Sequence, residues 1–185
     1  DVRLKNKTQL SLGSFNAVFL VSYSQKIPNI KYDIEKNVVI ILSSELFNKE
    51  IKFHGGVNNG DIIYGFTGND YRRLPVSGKT IIDVGANIGD TPIYFALNGA
   101  NTVIGLEPFP KNYELAVENI LSNGFSDKIK MVLAGCSSKI GEITIDPDYE
   151  SNIESQLRDS DKGTIIPLLT IEEIVKRYDV PDGSI

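Results

Sequence analysis

The spacing of hydrophobic residues differs between the two parts of the chain. Between residues 30 and 66 apolar and polar residues alternate, as in Ile51-Lys-Phe-His54, which is typical of half-buried antiparallel strands. Asn58-Asn-Gly-Asp61 is a hairpin signal, so the chain is predicted to return as a strand over Asp61 to Phe66. We therefore predict an N-terminal antiparallel β appendage within residues 1–78, which either shapes the substrate side or only stabilises the fold.

Residues 79–185 instead combine short β-branched runs with helical spacing. The runs at 80–84, 102–107 and 129–134 predict strands, and the segments between them predict helices from about 91 to 98 and from 110 to about 123. This β-α-β-α-β order predicts an α/β fold with a parallel, doubly wound sheet. The second helix is expected to pack on the sheet through Tyr113, Ala116, Val117, Ile120 and Leu121.

A glycine turn follows the first of these strands. Gly85 and Gly89 let the backbone turn tightly and let a ligand approach it, and Asp90 or Thr91 is a candidate cap for the next helix. In doubly wound sheets ligands bind at the carboxyl ends of the strands. Asp83 is therefore expected to face the same crevice as Glu107, which ends the second strand about 20 residues after the turn, a spacing suited to ribose hydroxyls.

Two other ligand classes fit this turn less well. Ser77-Gly78-Lys79-Thr80 ends like a phosphate-binding loop, but Arg73 stands where the first glycine should be, and the loop precedes its strand. In the dinucleotide pattern G-x-G-x-x-G, Asn87 and Asp90 replace the second and third glycines. Carboxylates at a helix start also disfavour a pyrophosphate. A cationic nucleoside without phosphates, such as S-adenosylmethionine, suits an acidic turn better.

Composition narrows the function further. The 185 residues include 19 basic and 24 acidic residues, and this net charge of −5 gives no electrostatic footprint for nucleic acid or an anionic membrane. The only cysteine, Cys136, excludes an internal disulfide, and the only histidine, His54, limits metal sites. We therefore predict a cytoplasmic protein with no metal site, no nucleic-acid partner and no membrane segment.

Three motifs resemble the FkbM family of S-adenosylmethionine-dependent methyltransferases. They are Asp83-Val-Gly-Ala-Asn-Ile-Gly89, Ile93-Tyr-Phe-Ala-Leu97 and Gly105-Leu-Glu-Pro-Phe-Pro110, and Thr170-Ile-Glu-Glu-Ile174 resembles a later segment of the family. Asn87 replaces a glycine that is usual in methyltransferases and is typical of the FkbM group. The resemblance implies a Rossmann-like class I methyltransferase fold and, usually, O-methylation of a small molecule or sugar.

The same resemblance implies roles for individual residues. Glu107 should accept both ribose hydroxyls, Pro108 and Phe109 should lie against adenine, and Gly85 to Gly89 should run under the methionine part. Phe109 as a core aromatic residue is the alternative. The predicted cofactor-binding residues are Asp83, Gly85, Ala86, Asn87, Gly89, Thr91, Glu107, Pro108, Phe109, Ala134 and Gly135, with Cys136 bordering the adenine edge.

By the same analogy, residues 79–185 would form the N-terminal half of a methyltransferase domain. The fourth strand would begin at about Ile185, so the fold is expected to be C-terminally incomplete and no catalytic residue can be named. The segment 146–163 is acidic and polar, and is predicted to be a mobile loop near the substrate entrance. A non-catalytic nucleoside-binding module and, less favoured, an NAD-linked oxidoreductase stay open as alternatives, as does a homo-oligomer.

Overall fold

The structure is a computed structural model. It describes residues 2–3, 9–10, 29–33, 35–42, 48–56, 61–68, 71–146 and 159–185. The chain divides into two compact units, residues 1–70 and residues 71–185, and each is described here by itself. The division into functional domains after residue 78 stays a prediction.

The described residues of the N-terminal unit form two antiparallel sheets. In the first, β1 (Val2–Arg3) pairs with β2 (Gln9–Leu10). In the second, the strands lie in the order β3 (Ile30–Asp33), β4 (Val38–Ile41) and β5 (Ile51–His54). Within the second sheet, buried Val39 lies opposite buried Phe53, which is the cross-strand pairing that the alternating pattern predicts.

The strand predicted over Asp61 to Phe66 is wrong, because helix α1 (Asp61–Gly68) occupies this segment. Ile62 and Ile63 are adjacent in sequence and both fully buried, whereas successive side chains of a strand point to opposite faces. Phe66 lies one helical turn further along and contacts Phe53 edge-on, with 5.4 Å between the ring centroids. The hairpin signal at residues 58–60 lies outside the described residues.

The C-terminal unit contains the predicted parallel sheet. Its elements in chain order are β6 (Thr80–Val84), α2 (Asp90–Leu97), β7 (Thr102–Glu107), α3 (Pro110–Ser122) and β8 (Ile129–Leu133). The strands lie in the order β6-β7-β8 and all pairs are parallel. The predicted β-α-β-α-β order is therefore confirmed, with helix ends within one or two residues of the expected ones.

Apolar side chains of this unit form its core. Within helix α2 the residues from Pro92 to Ala96 are all buried, so the helix is covered on most of its surface. One further cluster joins the sheet to the last helix, through Ile104, Leu106, Ala134, Leu169 and Ile174. The carboxyl ends of β6 and β7 are thus held by a packed core, with the last residue of β6, Val84, exposed and the last residue of β7, Glu107, buried.

A small mixed sheet and a short helix complete the unit. Strand β10 (Gly141–Ile145) runs antiparallel to β11 (Thr164–Leu169), which runs parallel to β9 (Gly135–Cys136). Helix α4 (Ile171–Arg177) is capped by Thr170, whose Oγ1 atom accepts a hydrogen bond from the backbone N–H of Glu173.

The ends of the predicted mobile loop are anchored to β10. The backbone N–H of Thr144 donates to the Asp159 carboxylate, and the carbonyl of Thr144 accepts from the N–H of Ser160. Residues 147–158 of the loop lie outside the described residues.

The β6 edge of the parallel sheet is extended by Ile185. The backbone of Ile185 hydrogen-bonds to Thr80 and Ile82, in the pattern of a parallel strand pair. None of the helices within the described residues is long and apolar enough to cross a bilayer.

Candidate functional site

Asp83 and Glu107 extend from the same face of the parallel sheet. Asp83 lies opposite Gly105 in the β6–β7 register, and Glu107 follows Gly105 by two residues on β7. Side chains two residues apart on a strand share a face, and paired residues of neighbouring strands do so too. The two carboxylates therefore belong to one crevice at the carboxyl edge of the sheet, as the sequence predicts.

Glu107 is almost completely buried, at 3% exposure, and its carboxylate holds two backbone segments. Its Oε2 atom accepts a hydrogen bond of 2.8 Å from the backbone N–H of Asn87, and its Oε1 atom accepts one of 3.0 Å from that of Phe109. The side chain of Asn112 also hydrogen-bonds to this carboxylate. Glu107 is thus fixed between the glycine turn and the start of helix α3.

Asp83 is held by the first turn of helix α2. The hydroxyl of Thr91 donates a hydrogen bond of 2.6 Å to the Asp83 carboxylate. The prediction that Asp90 or Thr91 caps this helix is wrong, since the cap position is Gly89 and no side chain makes the capping hydrogen bond. Thr91 instead fixes an acid on the preceding strand, which is a tertiary contact rather than a local one.

The glycine turn has an unusual backbone because φ is positive at three of its residues. The values are 84° at Gly85, 47° at Asn87 and 86° at Gly89. Asparagine is one of the few residues other than glycine that tolerates this region. The N–H groups of Gly85 and Ala86 both donate to the carbonyl of Leu106, so the turn is tied to β7 by its backbone as well as by Glu107.

Glycine at position 89 is also required by packing. A Cβ atom there would lie 3.2 Å from both the Cα atom and the carbonyl oxygen of Ala116 on helix α3. At Gly85 a Cβ atom would meet nothing within 4 Å. The turn is therefore packed against α3 at one end and open at the other, where a ligand can approach the backbone.

Burial raises the pKa of both acids. The pKa of Glu107 rises from 4.5 to about 7, chiefly through desolvation; the hydrogen bonds from Phe109 and Asn87 oppose the rise and the nearby charge of Asp83 adds to it. The pKa of Asp83 rises from 3.8 to about 6 through desolvation, against the hydrogen bond from Thr91. A cationic or hydrogen-bond-donating ligand would therefore favour the ionised forms that the apo site disfavours.

The remaining predicted residues line the same edge. Pro108 and Phe109 are half-buried between β7 and helix α3, and Ala134 and Gly135 are buried at the end of β8. The backbone N–H of Ala134 donates to the carbonyl of Glu107, which ties the third strand end to the second. Cys136 follows on β9 and is half-buried. Every predicted cofactor-binding residue thus lies at or beside one strand edge, and their binding role stays a prediction.

Two residues of helix α3 that contact the site were missed from the sequence. Asn112 bonds to Glu107, and Asn119 donates from Nδ2 to the carbonyl of Ile88 at 2.9 Å. The predicted apolar face of this helix is only partly right, because Val117 and Leu121 are 42% and 68% exposed while Asn119 is fully buried. A polar residue between apolar ones at positions 116 and 120 was the available signal.

No metal-binding cluster is assembled in the described part of the chain. Among the described residues no group of three histidine, cysteine or acidic side chains could hold a metal ion. His54 lies on β5 of the N-terminal unit. Arg72 and Arg73 are exposed on the segment before β6. The chemistry available at the strand edge therefore comes from two carboxylates, a threonine hydroxyl and backbone groups.

Comparison with known families finds one match in the C-terminal unit. Residues 83–182 match the methyltransferase FkbM domain, which is more than half of the chain and includes β6 to α4. The chain belongs to the FkbM methyltransferase family. The family resemblance noted in the sequence is thereby confirmed, and the glycine turn, Glu107 and the last helix all lie within the matched FkbM domain.

Solved structures with partial likeness are also methyltransferases. A structure of PRMT6 with SAH is 26% identical over 33% of this chain and 18% of its own, with a TM-score of 0.31. The Trypanosoma brucei PRMT1 enzyme–prozyme complex with AdoHcy is 32% identical over 30% of this chain and 17% of its own, with a TM-score of 0.29. A Methanococcus maripaludis protein provisionally assigned as an S-adenosyl-L-methionine-dependent methyltransferase is 19% identical. The match covers 68% of this chain and 44% of that protein, with a TM-score of 0.33.

The chain therefore spans less than half the length of each of these three proteins. Among curated proteins no match is found.

Proposed function

We propose that this chain is the cofactor-binding part of an S-adenosylmethionine-dependent methyltransferase that methylates oxygen in a small molecule or a sugar. The observation that carries the proposal is the pairing of Glu107 with the Asn87 backbone N–H inside an FkbM domain. This hydrogen bond joins an acid suited to ribose to a turn suited to a cation. Likeness to methyltransferases solved with AdoHcy agrees with this choice of cofactor.

The hydrogen bonds already made by Glu107 leave room for a ribose. Each carboxylate oxygen has two lone pairs, and the backbone N–H groups of Asn87 and Phe109 use one on each oxygen. The Asn112 side chain uses a third of the four acceptor positions, so one is open to a ribose hydroxyl, and the second hydroxyl would have to take the place of Asn112. The carboxylate is also held in place before a ligand arrives, which reduces the entropy lost on binding.

The turn suits the other half of the cofactor. S-adenosylmethionine carries a sulfonium and an ammonium group, and Asp83 would place a carboxylate beside the open backbone at Gly85. A diphosphate at the same place would meet two carboxylates, which disfavours a dinucleotide. Ala134, Gly135, Pro108 and Phe109 would then border the adenine.

The cofactor would supply an electrophilic methyl group, and the residues of this chain would bind and orient it. Such positioning is the main contribution expected of the site, because a fixed and aligned methyl donor needs little further help. No residue of this chain is assigned as the base that takes the proton of the acceptor hydroxyl. The proposed acceptor is a small molecule or a glycan.

Two titrations in a calorimeter test the proposal. The chain should bind S-adenosylhomocysteine and should not bind NAD at the same concentration. Binding of NAD instead would overturn the methyltransferase assignment. If S-adenosylhomocysteine binds but no methyl group reaches hydroxylated acceptors in assays with labelled S-adenosylmethionine, a non-catalytic nucleoside-binding module would be the better description.

A further inference from the structure

The polar residues buried in the described part of the chain concentrate around the glycine turn. Among the described residues, the buried polar or charged ones are Asp90, Glu107 and Asn119. Asp90 begins helix α2 directly after the turn, and Glu107 accepts from the turn. Asn119 lies in the middle of helix α3, 0% exposed, and its side chain reaches the same turn. A buried amide group is destabilising unless it is hydrogen-bonded, so its placement there needs a reason.

Asn119 fixes the peptide group at the centre of the turn. Its Nδ2 atom donates to the carbonyl of Ile88 at 2.9 Å, across 31 residues of sequence. Ile88 lies between Asn87, whose N–H is bound by Glu107, and Gly89, whose Cα packs against Ala116. Three consecutive residues of the turn are thus held by three separate contacts, two of which come from helix α3.

The turn requires such external support because its backbone is not relaxed. Asn87 and Gly89 both have positive φ values, and for a residue other than glycine this strained conformation persists only where the surrounding structure fixes it. The hydrogen bond from Asn119 acts together with the one from the N–H of Gly89 to the carbonyl of Ala86, so its loss would weaken the hold on the peptide between residues 88 and 89. A less firmly held turn would in turn keep the N–H of Asn87 less precisely against the carboxylate of Glu107.

We propose that Asn119 is a positioning residue, which holds the glycine turn from behind in the geometry that binds the nucleoside cofactor. It touches neither the cofactor nor the acceptor and acts through the carbonyl of Ile88. This inference rests on the proposed function, because the ligand it serves is S-adenosylmethionine. It adds a determinant of affinity that lies on a helix outside the cofactor crevice.

Two variants of Asn119 and one matched control test this role. Asn119→Leu keeps the size of the side chain but deletes the donor, and Asn119→Ser is a smaller replacement if the leucine variant does not fold. The control is Ile120→Ala, one residue along the same helix, where a buried side chain without hydrogen-bonding groups is shortened. Circular dichroism and thermal melting establish that each variant is folded at the temperature of measurement.

Calorimetry with S-adenosylhomocysteine gives the first readout. Either Asn119 variant should bind about tenfold more weakly than the wild type, the lower range expected for an unmade buried hydrogen bond. Ile120→Ala should bind within about twofold, although the cavity it creates should lower the melting temperature. An Asn119 variant that binds as tightly as the control would overturn the proposal.

Amide hydrogen exchange without ligand gives a second readout that does not depend on the cofactor. The N–H groups of Asn87 and Gly89 should exchange faster in the Asn119 variants than in Ile120→Ala, because both hydrogen bonds depend on the turn. Unchanged exchange would overturn the positioning role. If the wild type binds no S-adenosylhomocysteine while exchange changes as expected, the proposed function fails and the support of the turn by Asn119 stands.

Discussion

The carboxylate of Glu107 accepts a 2.8 Å hydrogen bond from the backbone N–H of Asn87, twenty residues earlier in the chain. This contact joins the two motifs that the sequence suggested should act together. It also helps to hold Asn87 in its positive-φ conformation, at 47°.

Removal of the Glu107 carboxylate should weaken cofactor binding. Glu107→Ala deletes the proposed acceptor for the ribose hydroxyls, so the affinity for S-adenosylhomocysteine should fall by at least about 1–3 kcal/mol in calorimetry. Glu114→Ala is a suitable control because this acid is exposed on helix α3. An unchanged affinity in Glu107→Ala would remove Glu107 from the binding site.

The stability of the apo protein should fall as the pH rises from about 5 to 8. The pKa of Glu107 is raised from 4.5 to about 7 by burial, so the folded state holds a proton that the unfolded chain releases earlier. This contribution is present in full below pH 4.5 and is lost as the pH passes 7, a change of roughly 3 kcal/mol. The raised pKa of Asp83 also lowers the stability of the folded state as the pH rises, between 3.8 and about 6.

Urea unfolding of the wild type and Glu107→Gln at several pH values measures this effect. The free energy of unfolding should decline less steeply with pH in the glutamine variant, because that side chain does not titrate. Identical slopes would mean that Glu107 has an ordinary pKa. With S-adenosylhomocysteine present the trend should reverse, since a ligand that donates hydrogen bonds binds the ionised carboxylate more tightly.

Alanine at the two ends of the glycine turn should have unequal effects on stability. Both positions have positive φ, so each substitution should cost roughly 1–2 kcal/mol in backbone strain. Gly89→Ala should cost about 1–3 kcal/mol more, because its Cβ atom would lie 3.2 Å from the backbone of Ala116. Gly85→Ala has open space and is the matched control. Equal losses in denaturant unfolding would contradict close packing at Gly89.

Thr91→Val should raise the pKa of Asp83 further. The valine side chain has a similar shape but cannot donate the 2.6 Å hydrogen bond that stabilises the ionised carboxylate. Carboxyl-carbon NMR should therefore place the titration of Asp83 above the value of about 6 for the wild type. Thr102→Val, an exposed position at the start of β7, should leave it unchanged. A lower pKa in Thr91→Val would exclude the hydrogen bond.

The sequence predicted the parallel sheet and the position of both acids because these depend on short-range patterns. A β-branched run, two glycines and an acid about twenty residues later each follow from neighbouring residues. The strand predicted at Asp61 to Phe66 shows the limit of such patterns. The hairpin signal before it favours a strand, whereas the spacing of Ile62, Ile63 and Phe66 fits the helix that forms. The cap predicted at Asp90 or Thr91 is wrong for a similar reason, because the Thr91 hydroxyl bonds to Asp83 on another element instead.

Tertiary structure decided how the site is held together. The contacts from Thr91 to Asp83, from Asn119 to Ile88 and from Asn87 to Glu107 join different elements, so no local pattern contains them. The raised pKa values depend on burial, which arises only when the helices pack on the sheet. The sequence alone determined which residues stand at the strand ends, because the spacing of apolar residues that marks each strand or helix depends only on neighbouring residues. Only folding decided which of them hold one another, because hydrogen bonds between elements depend on distances in space.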